Sequence, residues 1–220
     1  MKKLCLFLFL MFFTINNVYA LEELDLAKNA TSAIIIEAST GEIIWQKNVN
    51  EKRPPASMTK MMSMLLIMEA LERETIKLED KVTASAYASS MGGSQIFLEA
   101  GETMVVEDLL KGIAIGSGND ATVAMAEKIA GTEESFVRLM NDKAKELGLK
   151  NTNFKNSTGL DDENHYSTAY DMAMIAKELV KYEKILEYTG TYEEYLRKDS
   201  ASPFWLVNTN KPVYKNYYSE

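Results

Sequence analysis

The sequence predicts a mixed α/β (α+β) fold, an antiparallel sheet with helices packed against it. Three observations lead there. A β-hairpin pattern opens the chain, helical patterns fill its middle, and a β-prone run, WLVNT at residues 205–209, lies near its end. A two-stranded sheet is marginal in water, so that last run is the natural partner strand for the opening hairpin.

Each element has a local reason. In residues 32–47, SAIIIEASTGEIIWQK, two β-branched runs flank Ser39-Thr40-Gly41, with glycine where a tight turn needs positive φ. Residues 57–73 read as a helix that is apolar nearly all round, through Met61, Met62, Met64, Leu65, Leu66, Ile67, Met68 and Leu71. Such a helix belongs inside a core. Residues 107–115 form a short helix that stops at Gly116-Ser117-Gly118. Residues 119–130 restart it and end at Gly131. Residues 132–147 follow, with Thr132 as cap and Gly148 as stop. Residues 152–154 read as extended and 157–164 as loop. Residues 168–182 are a helix opened by a capping box, Thr168-Ala-Tyr-Asp171.

Composition narrows the function classes. Of 220 residues, 46% are hydrophobic, which suits a globular chain. Lys2 and Lys3 precede LCLFLFLMFF, and Val18-Tyr19-Ala20 offers a small-residue cleavage site. Residues 1–20 therefore read as a secretory signal peptide, too short in its apolar run to span a membrane, and residues 21–220 as the mature domain. Cys5 is the only cysteine and falls inside that signal, which excludes a disulfide framework, a thiol nucleophile and cysteine metal ligands. The net charge of -8 disfavours nucleic acid as a partner. No cofactor is implied, and one histidine with scattered carboxylates has no metal-ligand spacing.

Two short motifs carry chemistry. In RPPASMTKMM, Ser57 and Lys60 lie three residues apart at the mouth of the apolar helix, on one face. A serine hydroxyl needs a base to become a nucleophile. Apolar surroundings would desolvate the lysine, lower its pKa and make it that base. The plain alternative is Ser57 as helix cap with Lys60 in solvent, and by itself S-x-x-K is a weak signal. Ser117-Gly118-Asn119 sets a hydroxyl and a carboxamide side by side between two helices. It can serve as a proton relay and a substrate-holding arm, or simply as a helix break capped by Asn119.

With these two motifs in order, the sequence resembles the low-molecular-mass penicillin-binding proteins, the serine-type D-alanyl-D-alanine carboxypeptidases. STGEIIWQKN, RPPASMTKMM, GSQIFLEAGE, LLKGIAIGSGNDATVAMAE, NTNFKNSTGLDDENHYSTAYDMA and LVNTN carry the resemblance over roughly residues 30–210. It implies a β-lactamase/transpeptidase-like antiparallel sheet with flanking helices and a helical subdomain carrying Ser117 and Asn119. It implies Ser57 as acylated nucleophile, Lys60 as base, Ser117 as proton relay to the leaving amine and Asn119 as substrate-binding residue. The implied substrate is a peptidoglycan pentapeptide ending in D-Ala-D-Ala, and β-lactam antibiotics would trap the same serine. The expected location is the extracytoplasmic, periplasmic or cell-wall face.

One family motif is missing. The sequence holds no K-T-G, H-T-G, K-S-G or R-T-G, and Asn208-Thr209-Asn210 leads only into KPVYKNYYSE. The expectation is a domain incomplete at its C-terminus, with no C-terminal membrane anchor. The alternative that follows is a non-catalytic fragment with at most weak peptidoglycan or penicillin binding. A class A β-lactamase is the lesser alternative, because Glu146-Leu-Gly-Leu149 runs into Lys150 instead of the asparagine that class needs. His165, just before a capped helix, reads as local structure.

Overall fold

The computed structural model describes residues 25–214. The chain divides into two compact units, Met1–Ala30 and Thr31–Glu220. In the first, residues 25–30 form a turn in which Ala30 N–H donates to the Ala27 carbonyl at 2.9 Å. The candidate signal peptide, residues 1–20, lies outside the described residues.

The second unit opens with the expected hairpin. Strand β1 (Ala33–Ile36) pairs antiparallel with β2 (Ile43–Lys47), with a bulge between Ile35 and Ile36. The turn is clamped by Glu37, whose carboxylate accepts from the N–H and hydroxyl groups of both Thr40 and Ser39. Those hydrogen bonds, from Thr40 first, hold the Glu37 carboxyl down at about 2.

Two prolines then exclude helix until Ala56, and a 3-10 turn (Ala56–Thr59) leads into α1 (Lys60–Glu72). This helix buries residues on every side, from Met62 to Met68, as its unbroken apolar pattern requires. The short α2 (Ala86–Ser89) is capped by Ser85, whose hydroxyl accepts from Ala88 N–H. Around α1 pack α3 (Val106–Gly116), α4 (Asn119–Ala130), α5 (Glu133–Glu146) and α6 (Ala169–Leu179). Met62, Ile67, Leu110, Val123, Phe136, Met140 and Ile175 meet in one core. Burying each such side chain contributes about 1.5–3 kcal/mol.

Thr132 and Thr168 cap their helices as the sequence suggests, whereas neither Ser57 nor Asn119 caps one: Ser57 lies inside the 3-10 turn, and α4 starts at Asn119 after Gly118. Thr132 accepts from Ser135 N–H, and Thr168 accepts from Asp171 N–H. The capping box at α6 is only half made, because the Asp171 carboxylate accepts instead from Asn151 N–H and the Thr152 hydroxyl. That choice ties residues 151–152 to the start of α6.

The mixed helix and antiparallel-sheet class is as expected, but the pairing of the C-terminal strand is not. Strands β3 (Lys81–Thr83) and β4 (Thr103–Val105) pair together, and β5 (Glu193–Leu196) pairs with β6 (Phe204–Val207) after α7 (Glu183–Gly190). Among the described residues there are thus three separate two-stranded antiparallel sheets. The C-terminal strand does not extend the opening hairpin. It pairs with a neighbour a few residues upstream, where loop closure costs least entropy. Tyr195 stacks on Trp205 across that pair at 6.5 Å. Thr209 N–H donates to the Ile115 carbonyl, which seats the hairpin beside the end of α3. A last helical turn, α8 (Lys211–Tyr214), follows. No helix among the described residues is long and apolar enough to cross a membrane.

Candidate active site

The exposed end of α1 presents the first pair. Ala56, at φ +47°, turns the chain sharply after Pro55, so Ser57 stands exposed in the 3-10 turn while Lys60 heads the helix and points inward. Lys60 is only 3% exposed, yet its Nζ donates to Ser57 Oγ at 3.3 Å and to the Thr158 carbonyl at 2.8 Å. Among the described residues no carboxylate pairs with it. A buried ammonium with only neutral partners loses hydration and gains no counter-charge. Burial accordingly pulls Lys60 down from 10.5 to about 8.

The wall opposite α1 is the loop of residues 156–165, which the sequence marks as loop over 157–164 but with no site residue in it. Ser63 donates to the Ser157 carbonyl at 2.6 Å, one turn along α1 from Lys60. Ser157 in turn donates through its N–H and hydroxyl to Glu133 at the start of α5. Gly159, at φ +89°, lies so close to the 3-10 turn before α1 that a Cβ there would sit 1.8 Å from the Ala56 carbonyl oxygen. His165 is buried beside it, edge-on to Phe154. Its Nδ1 accepts from Lys155 N–H, so Nε2 carries the proton and donates to Thr59 Oγ1 at 2.8 Å. Burial pushes His165 below its usual range, which keeps it neutral. Its bonds hold the loop against the residue before Lys60.

The second motif sits at the end of α3. Ser117 occupies the left-handed region at φ 57° and ψ 33°, a conformation that costs a non-glycine residue about 1 kcal/mol or more. Asn119 is buried; its N–H donates to the Ser94 carbonyl and its Nδ2 to the Gly92 carbonyl, each at 2.7 Å. The bond to Gly92 orients the carboxamide, whose Oδ1 is the atom able to accept from an incoming N–H group. Because α3 and α4 both pack on α1, the two motifs belong to one helical cluster. No hydrogen bond among the described residues links Ser117 to Ser57 or Lys60.

One residue of this region carried no signal in the sequence. Asp120, 1% exposed, accepts from the N–H groups of Ile96, Leu98 and Ala121. It ties the loop of residues 94–98 to the start of α4 and so fixes Asn119 beside it. Among the described residues no cluster of three or more His, Cys, Asp or Glu could hold a metal ion. A cavity of about 630 Å³ lies between β1 and α6 and is lined by Met58 and Met61, but by neither Ser57 nor Lys60. A smaller one, about 470 Å³, flanks Ala56 and Gly159 under the acidic residues Asp161, Asp162 and Glu163.

This arrangement of helices, short sheets and a serine–lysine pair is the architecture of penicillin-binding proteins. Penicillin binding protein 5 of Haemophilus influenzae superposes with a TM-score of 0.79 at 33% identity, over 86% of this chain and 54% of that one. Penicillin binding protein 6B of Escherichia coli gives 0.78 at 31% identity, over 84% and 59%. The family model for D-alanyl-D-alanine carboxypeptidase matches residues 19–220, and the chain belongs to that family. D-alanyl-D-alanine carboxypeptidase DacF of Bacillus subtilis is 65% identical over 189 residues, 86% of this chain and 49% of the relative. DacC of Escherichia coli is 41% identical over 193 residues, 83% and 48%. The chain thus spans about half the length of the curated relatives it matches.

Proposed function

We propose that the chain carries the acylating centre of a serine-type D-alanyl-D-alanine carboxypeptidase, which removes the terminal D-alanine from peptidoglycan stem peptides and binds penicillin. The observation that carries this reading is the buried Lys60 Nζ, 3.3 Å from the exposed Ser57 hydroxyl and lowered to about 8. At pH 7 roughly one lysine in ten is then a neutral amine, some 300-fold more than for a solvated lysine at 10.5.

In this reading the neutral Lys60 takes the Ser57 proton as Oγ attacks the carbonyl carbon between two D-alanines. The oxyanion that forms lies at the start of α1, where N–H groups without intrahelical acceptors, Ser57 N–H among them, favour negative charge. Ser117 passes the proton from Lys60 to the leaving nitrogen. The C–N bond breaks, D-alanine departs, and the Ser57 ester is hydrolysed by water. Asn119 holds the substrate backbone through Oδ1. A β-lactam opens on the same serine and leaves a longer-lived ester. The reading also places residues 1–20 as a signal peptide and the site on the extracytoplasmic face, where the pentapeptide substrate is.

The test is labelling of the purified chain with a fluorescent penicillin, followed by peptide mapping in the mass spectrometer. A Ser57 adduct that disappears in Ser57→Ala supports the assignment. Labelling that survives Ser57→Ala overturns it, and no adduct in the unmodified chain favours a non-catalytic, peptidoglycan-binding role.

A further inference from the structure

The geometry points to Asn156 as the positioning residue for Lys60. Its side chain builds the turn that presents the Thr158 carbonyl to the lysine Nζ. This inference rests on the reading of Lys60 as the base, and it concerns what holds that base in place.

The Asn156 carboxamide is wholly spent on residues 158–160. Its Oδ1 accepts from Thr158 N–H at 3.2 Å, from the Thr158 hydroxyl at 3.1 Å and from Gly159 N–H at 2.7 Å. Its Nδ2 donates to the Leu160 carbonyl at 2.9 Å. An asparagine that bonds its own backbone two residues on closes an Asx-type turn. Here that turn points outward from Asn156 and directs one carbonyl, that of Thr158, at Lys60.

Three further contacts show that the turn is pressed on the catalytic end of α1. Ser63 donates to the neighbouring Ser157 carbonyl, Gly159 packs on the Ala56 carbonyl, and Thr59 meets His165. The titratable groups in this wall are His165, held neutral by burial, Glu133, which is engaged by Ser157 and Tyr87, and the acidic residues Asp161, Asp162 and Glu163 of the same loop. None of them is hydrogen-bonded to Lys60, whose Nζ partners are Ser57 Oγ and the Thr158 carbonyl. A hydrogen-bond acceptor at 2.8 Å fixes where a flexible four-carbon side chain ends, and here that end faces Ser57 Oγ. If the turn relaxes, water reaches Nζ and the lysine drifts both from its orientation and from its low pKa.

The experiment follows Lys60 directly and needs no turnover. The chain is labelled with ¹³C at lysine Cε, the Lys60 signal is assigned by its loss in Lys60→Arg, and its pH titration is read by NMR. In Asn156→Ala the midpoint is expected to move upward from about 8 by about one pH unit or more. In Asn156→Ser, whose hydroxyl can accept from the same backbone N–H, it should return most of the way to the wild-type value. A folded Asn156→Ala protein with an unmoved Lys60 midpoint overturns the inference. If that variant does not fold, amide exchange in the unmodified chain decides, since the Thr158 and Gly159 N–H groups must be protected and rapid exchange there refutes the clamp. The nucleophile reading fails by a different signal, the absence of a penicillin adduct at Ser57, so the two are separable.

Discussion

Replacing Lys60 by methionine should stabilise the fold while removing its chemistry. The lysine titrates near 8 in the fold against 10.5 in a solvated chain, which corresponds to about 3 kcal/mol of burial cost at pH 7, where both states are mostly protonated. Methionine is unbranched, of similar length and apolar, so it removes that cost. Against this, the buried Thr158 carbonyl loses the donor that lies 2.8 Å away and is left unsatisfied, at about 1–2 kcal/mol, while the exposed Ser57 hydroxyl can turn to water. The net expectation is a gain of about 1–2 kcal/mol, or about 2–8 °C in Tm for a chain of this size. Because the folded pKa is depressed, the unfolded chain binds the proton more tightly. The lysine's cost is therefore absent above 10.5 and complete below about 8. Calorimetry at pH 7 and again near pH 10.5 reads the effect, and the advantage of Lys60→Met should shrink toward zero or below at the higher pH. A variant less stable than its parent at pH 7, or a gap that does not change with pH, refutes the argument. Penicillin labelling of the same variant should be lost.

Two other substitutions test the scaffold. Gly159→Ala places a Cβ against the Ala56 carbonyl at a φ that disfavours side chains, and should cost about 2–4 kcal/mol in urea unfolding while displacing Ser57. A stability within about 0.5 kcal/mol of the parent would contradict the close approach. Asp120→Ala leaves the N–H groups of Ile96, Leu98 and Ala121 without their buried acceptor, and should cost about 2–4 kcal/mol. Restored stability in Asp120→Asn would show that one accepting oxygen is enough.

Much of the local structure was legible because its causes are local. The helix limits at residues 119–130, the caps Thr132 and Thr168, and the β1–β2 hairpin follow from periodicity and capping chemistry within a few residues. β5 escaped because Glu193 and Glu194 give it no apolar alternation, and without it β6 had no visible partner but the opening hairpin. Asp171 looked like half of a capping box until residues 151–152 arrived to claim its carboxylate.

The site divides along the same line. Three-residue spacing alone put Ser57 and Lys60 on one helical face, and the order of the motifs identified the family. Spacing cannot say whether a lysine is solvated. That was decided by the turn built on Asn156, whose Thr158 carbonyl reaches Lys60 across 98 residues of sequence. Burial and the loss of counter-charge are properties of what packs around a group, and only the tertiary structure brings that wall to the helix.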